Sequence, residues 1–357
     1  MFNKFLLIFF VCFALFSSCS KKEDYDVDVV CEINNTGDYV IKWEIFPAII
    51  GNVRIYRSDD PDNFAGKEVE LELPVQEGIA IMRKGNFDRS YFKLVFGRKM
   101  CTITSNRLIK TEKIFNFRDI GGYYNRHGQQ VRWGKLYRSG LITNAGKPDI
   151  ALLKALNIKT AIDMRTDEEI ASAPTSGFFT EQIYRIPLTG VEPVSLIGKV
   201  LDGQMKKGDA LVFQQDLHVA LIKNNTENFR RYFEILADSS NYPLVVYCTL
   251  GKIRTGLVMA LTLAALDVDM EQIHEDYMLS NACINFKGIV KNADNFSSDV
   301  QEALTALLAP QRDVIEYACR FIEKEYGSIN NYLKKELQLT ASKKEKLREL
   351  LLYPPKY

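Results

Sequence analysis

The sequence predicts two folds in series: a small all-β sandwich over residues 20–110, then an α/β domain over 111–357 with a central, mostly parallel sheet flanked by helices. Three observations carry this reading. Apolar residues alternate with a period of two through 25–110, with turn-forming clusters between the runs. Beyond Lys110 the pattern becomes helical, interrupted by short, wholly apolar stretches of the kind that form strands covered on both faces. A chain of 357 residues also has room for about two domains.

Ahead of both lies MFNKFLLIFFVCFALFSSCS, with a lysine near its start, an apolar run from Phe5 to Phe16, two serines and then Cys19. This is the layout of a bacterial secretory signal over residues 1–19 that ends at a lipid-attachment cysteine. Phe16 stands where such signals usually carry Leu. The apolar run is too short to span a bilayer comfortably, so the expectation is a lipid-anchored lipoprotein of the bacterial cell envelope, periplasmic or surface-exposed.

In the β region, YVIKWEIF puts Tyr39, Ile41, Trp43 and Ile45 on one face, and NVRIYRS, SYFKLVF and CTITSNRLI follow the same period. NNTGD and SDDPDNF supply turns, so hairpins join these strands. The segment looks like a fibronectin type III or immunoglobulin-like sandwich with Trp43 in its core, serving as a stabilising neighbour, a spacer, a docking surface or a lid. An oxidising compartment permits a disulfide between Cys31 and Cys101 without requiring one.

In the second region, PDIALLKALNI reads as a helix with Pro148 in its first turn, and TAIDM as a buried strand directly after it. TENFRRYFEILAD reads as a helix N-capped by Thr226, with Phe229, Phe233 and Leu236 on one face. Tyr242-Pro243 breaks the chain before LVVY, a second buried strand. From MEQIHEDYMLSN to SKKEKLRELLLY the pattern is mostly helical.

A net charge of +1 gives no broad field for nucleic acid, so specificity must come from a local site. His127, His218 and His274 are not spaced as metal ligands, and neither metal nor cofactor is expected. The chemistry concentrates in VVYCTLGKIRTG. Its loop leaves the carboxyl end of a buried strand and wraps the start of a helix, where free N–H groups bind anions. A tight loop through Gly251 can turn the N–H groups of Thr249, Leu250, Gly251, Lys252 and Ile253 inward around a phosphate. Arg254 can grip two phosphate oxygens at once. The same positive surroundings favour a thiolate at Cys248, a nucleophile aimed at phosphorus, with the Thr255 hydroxyl able to donate to the sulfur. A nucleotide-binding P-loop is excluded, because no hydroxyl residue follows Lys252.

YCTLGKIRTG resembles the HCxxGKDRTG loop of the tyrosine-phosphatase-like family of bacterial protein-tyrosine/serine and phosphoinositide phosphatases. The likeness extends through NFRDIGGYYNRHGQQVRWGKLYRSGLIT, AIDMRTDEE, HEDYMLSN and EYGSINNYLKKELQLT, in the family's order, across roughly 112–352. It implies a phosphoric monoester hydrolase that works through a phosphocysteine on Cys248, with Arg254 as phosphate binder. Its substrate would be a phosphorylated protein, a phosphoinositide or an inositol phosphate. The side chain of Lys252 would add charge near the substrate, or simply face water.

Two positions depart from the pattern: the family's histidine is Tyr247 here, and its aspartate, a candidate proton donor, is Ile253. Asp119, Asp163 and Asp216 are the alternative acids, the first two with a structural role as the competing reading. Arg138 and Ser139 of YRSG read as structural. With the acid missing, the alternative to an enzyme is a phosphate-binding module with weak turnover.

Overall fold

The structure is a computed structural model and describes residues 25–354 apart from 86–87, 98–99, 176–178, 181, 191–192 and 285. The expected signal segment and Cys19 lie outside the described residues.

Seven antiparallel strands among the described residues form two sheets. One has the order β1 (Asp26–Ile33), β2 (Tyr39–Phe46), β5 (Ile79–Met82); the other has β4 (Leu71–Pro74), β3 (Asn52–Ser58), β6 (Tyr91–Phe96), β7 (Met100–Thr104). Alternate residues from the two sheets, among them Ile41, Trp43, Val53, Ile55, Phe92, Leu94 and Phe96, meet in a core of their own. Trp43 donates its indole N–H to the Val75 carbonyl at 2.8 Å, so the largest core side chain leaves no buried donor unmade. The strand expected through CTITSNRLI ends at Thr104. Beyond it Ser105 donates to the Ser90 carbonyl and Asn106 to the Leu108 carbonyl, which pulls the chain out of the sheet. Cys31 and Cys101 are free thiols on strands of opposite sheets, and burial pushes the Cys31 thiol up to about 12.

The sheet of the α/β domain has the order β11 (Gln182–Arg185), β10 (Thr160–Asp163), β12 (Leu244–Tyr247), β9 (Leu136–Ser139), β8 (Arg118–Asp119), all parallel except β8 at the edge. Ile162 and Val246 pack into one apolar core, while Ala161, Val245 and Tyr247 pack into another on the opposite face. That double cover is why TAID and LVVY lack polar alternation. The helix Thr226–Leu236 forms as expected, but Asn225 takes the cap position because the helix Lys207–Asn224 runs straight into it. Lys207–Asn224 packs with Ser298–Leu308 around a further cluster that includes Val200, Ala210, Leu304 and Leu307. Among the described residues no helix is long and apolar enough to cross a membrane.

The sandwich and the α/β domain are clamped together. Arg89, just before β6, donates to the Asp119 carboxylate at 2.7 Å and to the Asn106 carbonyl at 2.8 Å. Its guanidinium also lies 4.8 Å from the Tyr91 ring centre. Around it Asp62 pairs with Arg132 and Lys135, both at 2.8 Å, and the Tyr353 hydroxyl donates to the Pro61 carbonyl at 3.2 Å.

Candidate active site

β12 ends at Tyr247, and the chain turns through 248–252 into the helix Ile253–Ala265. The direction of the peptides in this turn is fixed from outside. Leu141 N–H donates to the Thr249 carbonyl at 3.0 Å, and Asn116 Nδ2 donates to the carbonyls of Leu250 at 3.1 Å and Gly251 at 2.8 Å. Arg138 Nη2 also reaches the Gly251 carbonyl, at 2.7 Å, and Gly256 N–H donates to the Lys252 carbonyl at 2.8 Å. A trans peptide points its N–H opposite to its C=O. The N–H groups of Leu250, Gly251, Lys252 and Ile253 are therefore aimed at the concave side, together with the start of the helix. Gly251 sits at φ +62°, and a Cβ there would collide with the Ser139 carbonyl, so only glycine fits.

Asn116 and Arg138 are themselves held by a buried network. Arg138 and Arg118, both fully buried, converge on the Asp276 carboxylate, at 2.5 and 3.3 Å. Arg118 also bonds Asn116 Oδ1 and donates to the Asp276 carbonyl at 2.6 Å and the Ser280 hydroxyl at 3.2 Å. Burial alone would raise the Asp276 carboxyl, but the charges of Arg138 and Arg118 outweigh it and hold it at about 2. NFRD, YRSG and DYMLSN thus meet as one scaffold behind the loop, which fits the structural reading of Arg138.

Arg254 lies at the start of the helix and is grasped from the side by Glu169, Nη1 to Oε2 at 2.7 Å and Nη2 to Oε1 at 2.8 Å. Nη1 also donates to the Met164 carbonyl at 3.0 Å. Glu169 simultaneously accepts from Thr166 N–H at 2.8 Å and from the Thr249 hydroxyl, so one carboxylate caps its own helix and ties Arg254 to the loop. Burial would raise this carboxyl too; the hydrogen bonds and charge of Arg254, with Thr249, bring it down to about 2. Glu169 closes the family-like segment AIDMRTDEE, but no role in the site was expected of it. Its signal is the T-x-x-E spacing from Thr166, which reads as a capping box and gives no hint of the second task.

Cys248 is 2% exposed at the head of the loop, and Thr255 is fully buried with no hydrogen-bond partner for its hydroxyl among the described residues. Several expectations are corrected. Asp119 is fully buried and accepts from Arg89, Gly121 N–H and Gly134 N–H, so it joins the sandwich to the α/β domain and is not placed to act as an acid. Asp163 is equally committed, paired with Arg165 at 2.6 Å and accepting from the Tyr247 hydroxyl at 2.9 Å. Asp216 is exposed on the helix Lys207–Asn224, and among the described residues no hydrogen bond joins it to the loop. Ile253 is buried in the apolar core. Lys252 does not face water: it is buried, and Nζ donates to the Leu308 carbonyl at 2.6 Å, at the C-terminus of Ser298–Leu308. Tyr247, opposite in facing to Cys248, stands over Arg165 at 5.7 Å and joins the strand end to Asp163. It therefore braces β12 against β10.

The model of the tyrosine phosphatase family matches residues 109–353, from just beyond the antiparallel sheets to the last described helix. A Cupriavidus necator protein named for tyrosine-protein phosphatase activity is 27% identical over 237 residues, covering 65% of this chain and 84% of that one. The triple specificity protein phosphatase PtpB of Mycobacterium tuberculosis is 22% identical over 278 residues, covering 67% of this chain and 96% of its own.

Proposed function

The chain belongs to the tyrosine phosphatase family of phosphoric monoester hydrolases, and from that premise we propose that it hydrolyses aryl phosphomonoesters of the phosphotyrosine kind through a phosphocysteine on Cys248. The observation that carries this reading is the outward pinning of the carbonyls of Thr249, Leu250, Gly251 and Lys252, which leaves a ring of N–H donors beside the thiol. Such a ring stabilises the charge that builds on the equatorial oxygens of a transferring phosphoryl group.

In the first step the Cys248 thiolate attacks phosphorus and the bond from phosphorus to the ester oxygen breaks. Arg254, positioned by Glu169, supplies the cationic side of the cradle. In the second step water attacks the phosphocysteine, the S–P bond breaks, and inorganic phosphate leaves. The Thr255 hydroxyl is available to donate to the departing sulfur.

The substrate class follows from what the loop lacks. Ile253 is buried, Asp119 and Asp163 are committed elsewhere, and Asp216 is exposed on its helix, so among the described residues none of the expected acids is held at the loop to protonate the leaving oxygen. A phenolate tolerates that far better than an alkoxide, since general acid catalysis typically supplies about 10²–10⁴ in rate. The signal at residues 1–19 supports a lipid-anchored lipoprotein that acts on phosphoproteins outside the cytoplasm.

The test is hydrolysis of p-nitrophenyl phosphate beside a simple alkyl phosphate by the chain, its Cys248→Ser variant and the vanadate-treated protein. The reading requires aryl turnover that vanadate blocks and the variant lacks, with alkyl turnover at least about a hundredfold slower. Binding of vanadate without aryl turnover would assign the cradle to a phosphate receptor.

A further inference from the structure

The two poles of the β-sandwich differ. The pole carrying Asp62, Arg89 and Tyr91 is clamped to the α/β domain. At the other pole the register pairs Asp26, where β1 begins, with Phe46, where β2 ends. From there the turn FPAIIG leads into β3, and it shows its apolar side chains to solvent: Phe46 is 78% and Ile50 98% exposed. These are not side chains of a loose segment. Ile49 packs on the sandwich core, its carbonyl accepts from Gln76 Nε2 at 3.2 Å, and the Gly51 carbonyl accepts from Val75 N–H at 2.8 Å. The backbone is tied down while two large apolar groups are held outward, an arrangement that costs free energy in water unless a partner covers them.

We infer that this turn, residues 46–51, seats in the interfacial layer of a lipid bilayer, and that the sandwich is a spacer holding the catalytic loop off the membrane. The inference rests on the lipid-anchored reading. Fully extended, the chain from Cys19 to Asp26 reaches at most about 25 Å, so a lipid on Cys19 keeps this pole at the membrane. β2 then spans about 24 Å from Phe46 to the end that leads towards the α/β domain. Asp26, Asp28 and Glu44 lie beside the turn in the register, so apolar insertion and not charge makes the contact. Added salt should therefore leave the contact as strong as before, and anionic lipid should not strengthen it.

The probe is Ile50→Trp in the chain from Ser20 onward, which contains every described residue. The native Trp43 and Trp133 are 4% and 3% exposed, so an emission change on adding vesicles of phosphatidylethanolamine and phosphatidylglycerol reports the turn. The expected result is a blue shift, quenching by brominated acyl chains, and roughly tenfold or greater loss of vesicle partition in Phe46→Ser/Ile50→Ser with hydrolysis unchanged. Unshifted emission overturns the inference, as does a dimer, in the absence of vesicles, that the serine pair dissolves. The anchor is tested separately by incorporation of a palmitate analogue into the full chain and its Cys19→Ser variant. Incorporation with silent emission overturns the turn alone. A blue shift without incorporation overturns the anchor and supports the turn as a peripheral contact.

Discussion

Arg138 Nη2 lies 2.7 Å from the carbonyl oxygen of Gly251, a residue far along the chain from it, and with Asn116 it turns that peptide outward. The phosphate-facing donors are thus oriented by side chains that never touch a substrate. Asn116→Ala releases the carbonyl of Leu250 and leaves that of Gly251 to Arg138 alone, with Cys248 and Arg254 in place. It should lower kcat/KM for p-nitrophenyl phosphate by about tenfold to a hundredfold and weaken vanadate inhibition in parallel. An unchanged inhibition constant would show that the loop keeps its direction without Asn116.

Asp276 neutralises two buried arginines, so its removal leaves both uncompensated. Asp276→Asn should cost about 3–5 kcal/mol in urea unfolding. The pH dependence has a definite sign. The carboxyls of Asp276 and Glu169 are both held at about 2 in the folded chain, below their unfolded values of 3.8 and 4.5. Their contribution to stability is complete above about pH 5 and is lost as the pH falls towards 2. In the Asp276→Asn chain the drop in urea midpoint between about pH 5 and pH 3 should be visibly smaller; an equal drop would remove Asp276 from the account.

Glu169 is a positioning residue for Arg254, and Glu169→Gln keeps the shape of the contact while removing its charge. KM for p-nitrophenyl phosphate should rise about tenfold as the guanidinium loses its fixed orientation. If KM stayed constant and only the melting temperature fell, the carboxylate would be a helix cap and nothing more.

The buried Arg89 and Asp119 pair joins the sandwich to the α/β domain. Arg89→Met and Asp119→Leu should each destabilise by about 3–5 kcal/mol, and the double variant by clearly less than the sum. Asp119→Asn should leave the acidic limb of the pH profile of hydrolysis where it is. A limb that moves would restore Asp119 as the acid.

The strands are legible in the sequence where burial is two-sided or strictly alternating, as in LVVY and YVIKWEIF, because periodicity reports burial directly. The loop is legible because a strand, a glycine turn and a helix start leave few alternatives for Cys248 and Arg254. What the sequence hides is the destination of long side chains. Lys252 and Asp119 look like site residues in their motifs, yet one ends on a helix C-terminus and the other on an arginine from the sandwich. Both partners are remote in sequence, and no local pattern encodes them. Glu169 is in view at the end of AIDMRTDEE, and what stays hidden is its contact with Arg254, since capping is a sufficient local explanation for it.

The most direct test is the crystal structure of the chain with bound vanadate. The account predicts vanadium bonded to the Cys248 sulfur, with the N–H groups of Leu250, Gly251, Lys252 and Ile253 and the guanidinium of Arg254 around its oxygens. Vanadate lodged elsewhere, or a loop whose carbonyls face the anion, would contradict it.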